Sequence, residues 1–195
     1  MVARKYTRKA NNQLIGATYV ELFKLGGSTN QTMLADIKRQ YDGEVSNISS
    51  ITYWSWIDAT FMAMNTWARF ANVTEGDDSA VAAVTTTAGR ATAAVYSEHM
   101  WDAFNDAALQ GPTATSYHFW SEKDHLFWRD DRFYNTSTYW GRGNSWAMGA
   151  LVSAIKHGGG PGSAHYNDYV ELFTQQAAAL QAIQGADGCW KASSK

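Results

Sequence analysis

A chain of 195 residues is long enough to bury one proper core and short for two. Its hydrophobic content of 45% and charged content of 17% fit a folded globular domain and exclude a disordered one. The net charge of −2 gives no electrostatic case for nucleic acid or an anionic membrane surface as a partner.

The basic run Arg4–Lys9 reads as a solvated chain end. No apolar stretch follows it, so it is not a secretory signal, and the expected compartment is cytoplasmic, or periplasmic if a signal lies upstream. The first helix runs from about Leu14 to Leu25, with Gly26-Gly27 ending it in the manner of a helix C-terminus. A second helix is expected over Met33–Tyr41 and a third over Ala59–Asn72, entered through Trp54–Asp58. The Ala-rich stretch Asp77–Asn105 reads as a long helix with a break near Gly89. Between Gly111 and Asn144 no helical period persists, and loops with a short hairpin are expected there. Asn144 or Ser145 then caps a helix through Lys156, stopped by Gly158–Pro161, and a last helix runs from Ser163 to Ile183. The pentapeptide Tyr19–Phe23 recurs as Tyr169–Phe173, a hint of repeated hairpins or a coincidence. The chain is therefore expected to be all-α, with helices in hairpin pairs.

Nine tryptophans are the unusual feature of the composition. They cluster as Tyr53–Trp56, His118–Trp120, Phe127–Arg129 and Tyr139-Trp140, beside charged residues. A sugar offers apolar C–H faces with a polar rim, so clusters of this kind point to a carbohydrate cleft more than to an aromatic core. The lone Cys189 excludes an internal disulfide and a thiol-based metal site, and fits a reducing compartment. No metal-ligand spacing, P-loop, dinucleotide fingerprint or nucleophile elbow is present, so no cofactor or metal is expected.

Three blocks carry chemistry. In Trp54-Ser55-Trp56-Ile57-Asp58, Asp58 stands at the mouth of a helix among aromatics. It is a helix N-cap, a desolvated general acid with a raised pKa, or both. In Tyr139–Trp146, glycines on both sides of Arg142 allow close backbone approach and present a guanidinium suited to a carboxylate. The alternative is a structural arginine paired to a buried acid. Trp146, four residues on, shares its helical face. In Tyr117–Glu122, His118 is either a hydrogen-bond donor or base, or a structural histidine.

Taken in this order, WSWIDATFMAM, YHFWSEKDHLFWRDD and YWGRGNSWAMGAL, with NNQLIGATYVELF before them and ADGCW after them, resemble the unsaturated glycuronyl hydrolases of glycoside hydrolase families 88 and 105. The Arg142-Gly143-Asn144 form looks more like family 105, the unsaturated rhamnogalacturonyl hydrolases. The resemblance spans about Asn11 to Trp190 and implies an (α/α)6 barrel of six helical hairpins, of which residues 1–195 supply a single, incomplete domain. It implies a hydrolase that removes an unsaturated galacturonyl residue from pectin- or rhamnogalacturonan-derived oligosaccharides by hydrating the C4=C5 bond. The alternatives are a glucuronyl hydrolase on other fragments, or a non-catalytic sugar-binding chain. By position Asp58 matches the proton donor and Trp56 its aromatic neighbour. His118, Trp140, Arg142 and Trp146 match substrate-site residues. Asn11 stands where the family usually has an aspartate, so a second site carboxylate is replaced by an amide that binds substrate without acid or base chemistry.

Overall fold

The computed structural model describes residues 10–27, 30, 32–45, 54–75, 87–109 and 118–194. Among the described residues the apolar periodicities become six α-helices: α1 Ala10–Leu25, α2 Thr32–Val45, α3 Ile57–Glu75, α4 Thr87–Phe104, α5 Gly141–His157 and α6 Tyr166–Ala182. Strands are limited to two-residue pieces, β1 Trp120–Ser121, β2 Leu126–Phe127, β3 Tyr139–Trp140 and β4 Ser193–Ser194, which pair as β1–β2 and β3–β4. The expected hairpin in the long loop is thus present. α4 is continuous from Thr87 through Gly89 and ends in a π-helical turn, Asn105–Leu109, while the stretch just before Thr87, where the expected break near Gly89 would fall, lies outside the described residues. Residues 77–86 of that expected helix, like Arg4–Lys9 and Tyr53, lie outside the described residues.

Side-chain pairings fix the layout. Thr66 donates to the Gln13 carbonyl at 2.6 Å, Arg69 meets Glu21 at 3.0 Å and Lys24 donates to Asn72 at 3.3 Å. Residue numbers rise together, so α1 and α3 run parallel. Phe61 lies against Trp146, and Asn65 and Arg69 both reach the Ser153 hydroxyl, so α5 runs parallel to them on the other side. The partners α2, α4 and α6 run the opposite way. Gln13 donates to Glu44, Trp67 packs on His99, and Gln176 donates to Asn144. Two antiparallel rows result, with α3 in the middle of the first, and the N-termini of α1, α3 and α5 share one end with the β1–β3 loops.

The core lies between the rows. Tyr41 of α2 stacks on Trp67 of α3 at 3.6 Å, and Tyr96 of α4 closes edge-on against both. Much of the aromatic wealth is spent here. Trp54, Phe119, Trp120, Phe127 and Trp128 are buried, so the clusters expected to line a cleft serve largely as core. The reason is geometric: the β1–β2 hairpin folds back onto α5, and alternate ring faces find partners inside. The repeated pentapeptide is not a structural repeat. α1 buries Val20 and Phe23, whereas α6 buries Tyr169 and Leu172, because each helix turns a different face to its neighbours.

Tyr139 anchors the loop end. Its buried hydroxyl meets Ser121 at 3.0 Å and Asp124 at 2.6 Å, and its pKa is pushed up to about 12, by burial and then by Asp124. Tyr139→Phe removes the hydroxyl with little change in shape. The expected loss is about 1 kcal/mol, read as a shift of the urea midpoint at unchanged slope.

Candidate active site

α3 begins because Ile57 N–H donates to the Arg129 carbonyl at 2.8 Å, a contact across the loop end. Asp58 is the second residue of that helix, inside the first turn. The expectation that it is the N-cap is therefore corrected: the chain already has helical hydrogen bonding one residue earlier. Its Oδ1 is buried without a hydrogen-bond partner. Burial raises the pKa of its carboxyl, opposed by the positive charges of Arg129 and then Arg142.

Trp140 and Arg142 are positioned by close backbone packing. A Cβ on Gly141 would stand 2.7 Å from the Lys191 carbonyl oxygen, and one on Gly143 would stand 2.7 Å from the Trp140 ring and 2.9 Å from Ile57. Glycine is required at both positions so that three segments can meet. Gly141 N–H donates to Ala192 O at 3.0 Å, and β4 pairs Ser193 with Trp140. The chain from Lys191 onward thus straps the back of β3.

Asn144 is also reassigned. It is the fourth residue of α5, not its cap; the capping position is Trp140, which makes no side-chain cap. The buried Asn144 amide accepts from Phe127 N–H at 2.8 Å and donates to the Phe127 and Trp140 carbonyls at 3.0 and 3.1 Å. Gln176 of α6 donates to its side-chain and backbone oxygens. One side chain ties β2, β3, α5 and α6 together.

A cleft of about 400 Å³ opens at this end, lined by Arg129, Phe133, Thr138, Trp140, Arg142 and Ser193. Both guanidinium carbons lie over the Trp140 ring, Arg142 at 4.5 Å and Arg129 at 5.7 Å from its centre, within cation–π range. Arg142 has no ion pair within 4 Å among the described residues, and its charge acts on the Asp58 carboxyl. Asp58 is not part of the cleft lining; the two arginines that are connect it to the cleft through their fields.

Of the residues singled out from the sequence, Trp140 and Arg142 share the cleft and Asp58 lies within reach of its charges. Trp146 is exposed, four residues beyond Arg142, and its ring sits 4.8 Å from Phe61 on the next turn of α3 after Asp58. Trp56, half-buried, packs on the core just before α3. Asn11 is exposed at the N-terminus of α1, at the same end of the row. His118 has φ +41° and its ring contacts are Trp128 and Tyr134, at 6.1 and 5.1 Å, in the aromatic group beneath the loop. Arg129, Phe133, Thr138 and Ser193 were not singled out. The sequence signal for Arg129 is its place in an aromatic, charged block; its bond to the start of α3 is not visible locally.

The N-termini of α3 and α5 open at this end, and each carries about half a positive charge. With two arginines and a carboxyl whose pKa is raised by burial, the arrangement suits an anionic sugar and proton transfer to it. Among the described residues no group of His, Cys, Asp or Glu is placed to hold a metal, and no helix is long and apolar enough to cross a membrane.

Known proteins resemble the chain in sequence and fold. The family model described as Glycosyl Hydrolase Family 88 matches residues 2–195. An unsaturated 3S-rhamnoglycuronyl hydrolase from Alteromonas sp. (strain LOR) is 29% identical over 146 residues, which is 72% of this chain and 29% of that protein. A solved glycosyl hydrolase family 88 protein from Bacteroides vulgatus superposes with a TM-score of 0.73 at 19% identity, over 95% of this chain and 47% of that one. A solved polysaccharide lyase gives the same TM-score of 0.73 and identity of 19%, over 95% and 46%. The chain therefore spans about half the length of the solved structures and under a third of the curated relative. Their fold is shared, and the paired helices form part of an (α/α)-barrel architecture.

Proposed function

The chain belongs to Glycosyl Hydrolase Family 88, and on that premise we propose that its site removes an unsaturated uronyl residue from the end of an oligosaccharide by hydrating the C4=C5 bond. The observation that carries the proposal is Asp58, a carboxyl raised in pKa by burial and left with one unpartnered oxygen at the arginine end of the row. A group of this kind keeps its proton closer to neutral pH and releases it when a better acceptor is offered.

The uronate carboxylate binds against Arg142, with the sugar face on Trp140. Its negative charge offsets the guanidinium charges that pull the Asp58 pKa down, so binding itself favours protonated Asp58. Asp58 gives its proton to C4, water adds at C5 and returns a proton to the Asp58 carboxylate, and the resulting hemiketal opens and releases the rest of the oligosaccharide. No covalent glycosyl-enzyme is needed, unlike the usual retaining scheme. The first substrate to offer is an unsaturated galacturonyl disaccharide of pectin or rhamnogalacturonan origin. A rhamnoglycuronyl disaccharide, the class named for the Alteromonas relative, is the comparison.

Hydration removes the conjugated double bond, so ultraviolet absorbance falls as the reaction proceeds. The expected result is a fall proportional to protein concentration, with water incorporated into the product. Asn11, an exposed amide where the resemblance places an aspartate, favours a second reading, sugar binding without turnover. Saturable binding of the disaccharide with unchanged absorbance establishes that reading instead.

A further inference from the structure

α6 buries Tyr169, Leu172, Gln176 and Leu180, and Gln176 alone of the four carries an amide. It is fully buried, on the outer row, and is not part of the cleft lining. Its Nε2 donates twice, to the Asn144 carbonyl at 2.9 Å and to the Asn144 side-chain oxygen at 3.1 Å. Its own Oε1 is buried with no hydrogen-bond partner among the described residues. A buried acceptor left unpaired is costly. Methionine fills nearly the same volume without that oxygen and suits an apolar stripe better. Stability alone is therefore a poor account of an amide at this position.

What the amide does is orient. Asn144 uses its full side-chain capacity: Oδ1 accepts from Phe127 N–H and from Gln176, and Nδ2 donates to the Phe127 and Trp140 carbonyls. A donor from α6 on Oδ1 stops the amide from swinging about its bonds to Phe127, and so keeps Nδ2 on the Trp140 carbonyl. Trp140 has no slack of its own. Its ring occupies the space that a Cβ on Gly143 would need, and the Arg142 guanidinium stands 4.5 Å from the ring centre. In packing this close a small backbone shift is passed on and not absorbed. Asp58 is placed separately, through the bond from Ile57 N–H to the Arg129 carbonyl.

Resting on the uronyl reading of the site, we propose that Gln176 is a positioning residue for the reaction. Acting through Asn144, it fixes the backbone of Trp140 from the outer row, so that the indole stands where the sugar ring and Arg142 need it. It touches neither substrate nor the reacting atoms. Its loss therefore loosens sugar binding and leaves the proton donor in place.

Gln176→Met tests this with the unsaturated galacturonyl disaccharide, turnover being followed by absorbance and binding by calorimetry. KM is expected to rise about 10-fold or more while kcat falls by less than about 3-fold. The melting temperature stays within about 3 °C of the original, because the unpaired oxygen leaves with the amide. Hydrogen exchange at Phe127 N–H, which rests on Asn144 Oδ1, speeds up by about 10-fold or more, with the α3 amides unchanged. In a Trp140→Ala background Gln176→Met adds nothing further to binding, a ratio of about one. Unchanged KM with unchanged exchange at Phe127 overturns the assignment, as does an effect on binding that persists in the Trp140→Ala background. A lower melting temperature with KM untouched marks a merely structural amide and overturns it too; Gln176→Leu gives the same comparison if the methionine variant fails to fold. Binding without turnover overturns the hydrolase reading and leaves Gln176 tested by the dissociation constant, whereas no binding by the unaltered protein overturns both.

Discussion

Asp58→Asn is expected to lower turnover by roughly 10²–10⁴ while disaccharide binding largely survives. Asparagine matches the carboxyl in size and polarity and lacks only the transferable proton. Because Asp58 is inside α3 and not its cap, loss of capping does not confuse the comparison. Stability gives a second, independent reading. The folded carboxyl has a pKa above 3.8, and the unfolded chain has the ordinary value. Between those two values the folded state binds more protons, so stability falls as pH rises through that window and stays lower above it. Asparagine has no such dependence. The variant should therefore melt at or above the temperature of the unaltered protein at neutral pH, and the difference should shrink towards pH 4 and below. Stopped-flow or steady-state absorbance gives the rate, and calorimetric melts at several pH values give the rest. Near-normal turnover in Asp58→Asn would falsify the assignment and leave the proton donor to be sought elsewhere.

The second large effect is structural. Asn144→Ala removes a buried amide that serves Phe127 N–H, Phe127 O, Trp140 O and Gln176. None of those groups gains another partner from a methyl side chain, and each buried orphan costs about 1–3 kcal/mol. A loss of about 3 kcal/mol or more is expected, which for a chain of this size lowers the melting temperature by roughly 6–12 °C. Binding should weaken as well, since β2 and β3 lose their common anchor and Trp140 stands on β3. A melting temperature within two degrees of the original would show that water or a local shift replaces the amide.

The helices were legible because their apolar positions recur at helical spacing and glycines close α1 and α5. The boundaries moved outward at α1, α2 and α3, where tertiary partners extend a turn that local pattern alone leaves open. α3 starts one residue before Asp58 because its first N–H finds a carbonyl 72 positions further along, and no local signal reports that. Asn144 has the composition of a cap and the surroundings of a core amide. Its position three residues inside α5 comes from Gly141 being accepted by the strap at Ala192. For the site, Arg142 and Trp140 could be read from their glycine-flanked motif. Arg129 could not, because what places it at the cleft is its carbonyl's bond to the first N–H of α3, which no local pattern reports. The tryptophans misled in bulk: a ring beside a charge in sequence is often a ring whose polar neighbour points the other way.

The strap behind β3 also separates two things that usually fail together. Residues 184–192 are exposed throughout, with Gly188 in a left-handed turn and Asp187 holding Cys189 N–H at 3.0 Å. Little apolar surface secures this segment; its anchors are Trp190 Nε1 on the Leu180 carbonyl and the few bonds to Gly141 and β3. Segments secured in this way open at a small fraction of the free energy of global unfolding. The helical rows have no share in that opening. The placement of Trp140 thus depends on a lightly anchored segment and not on the core.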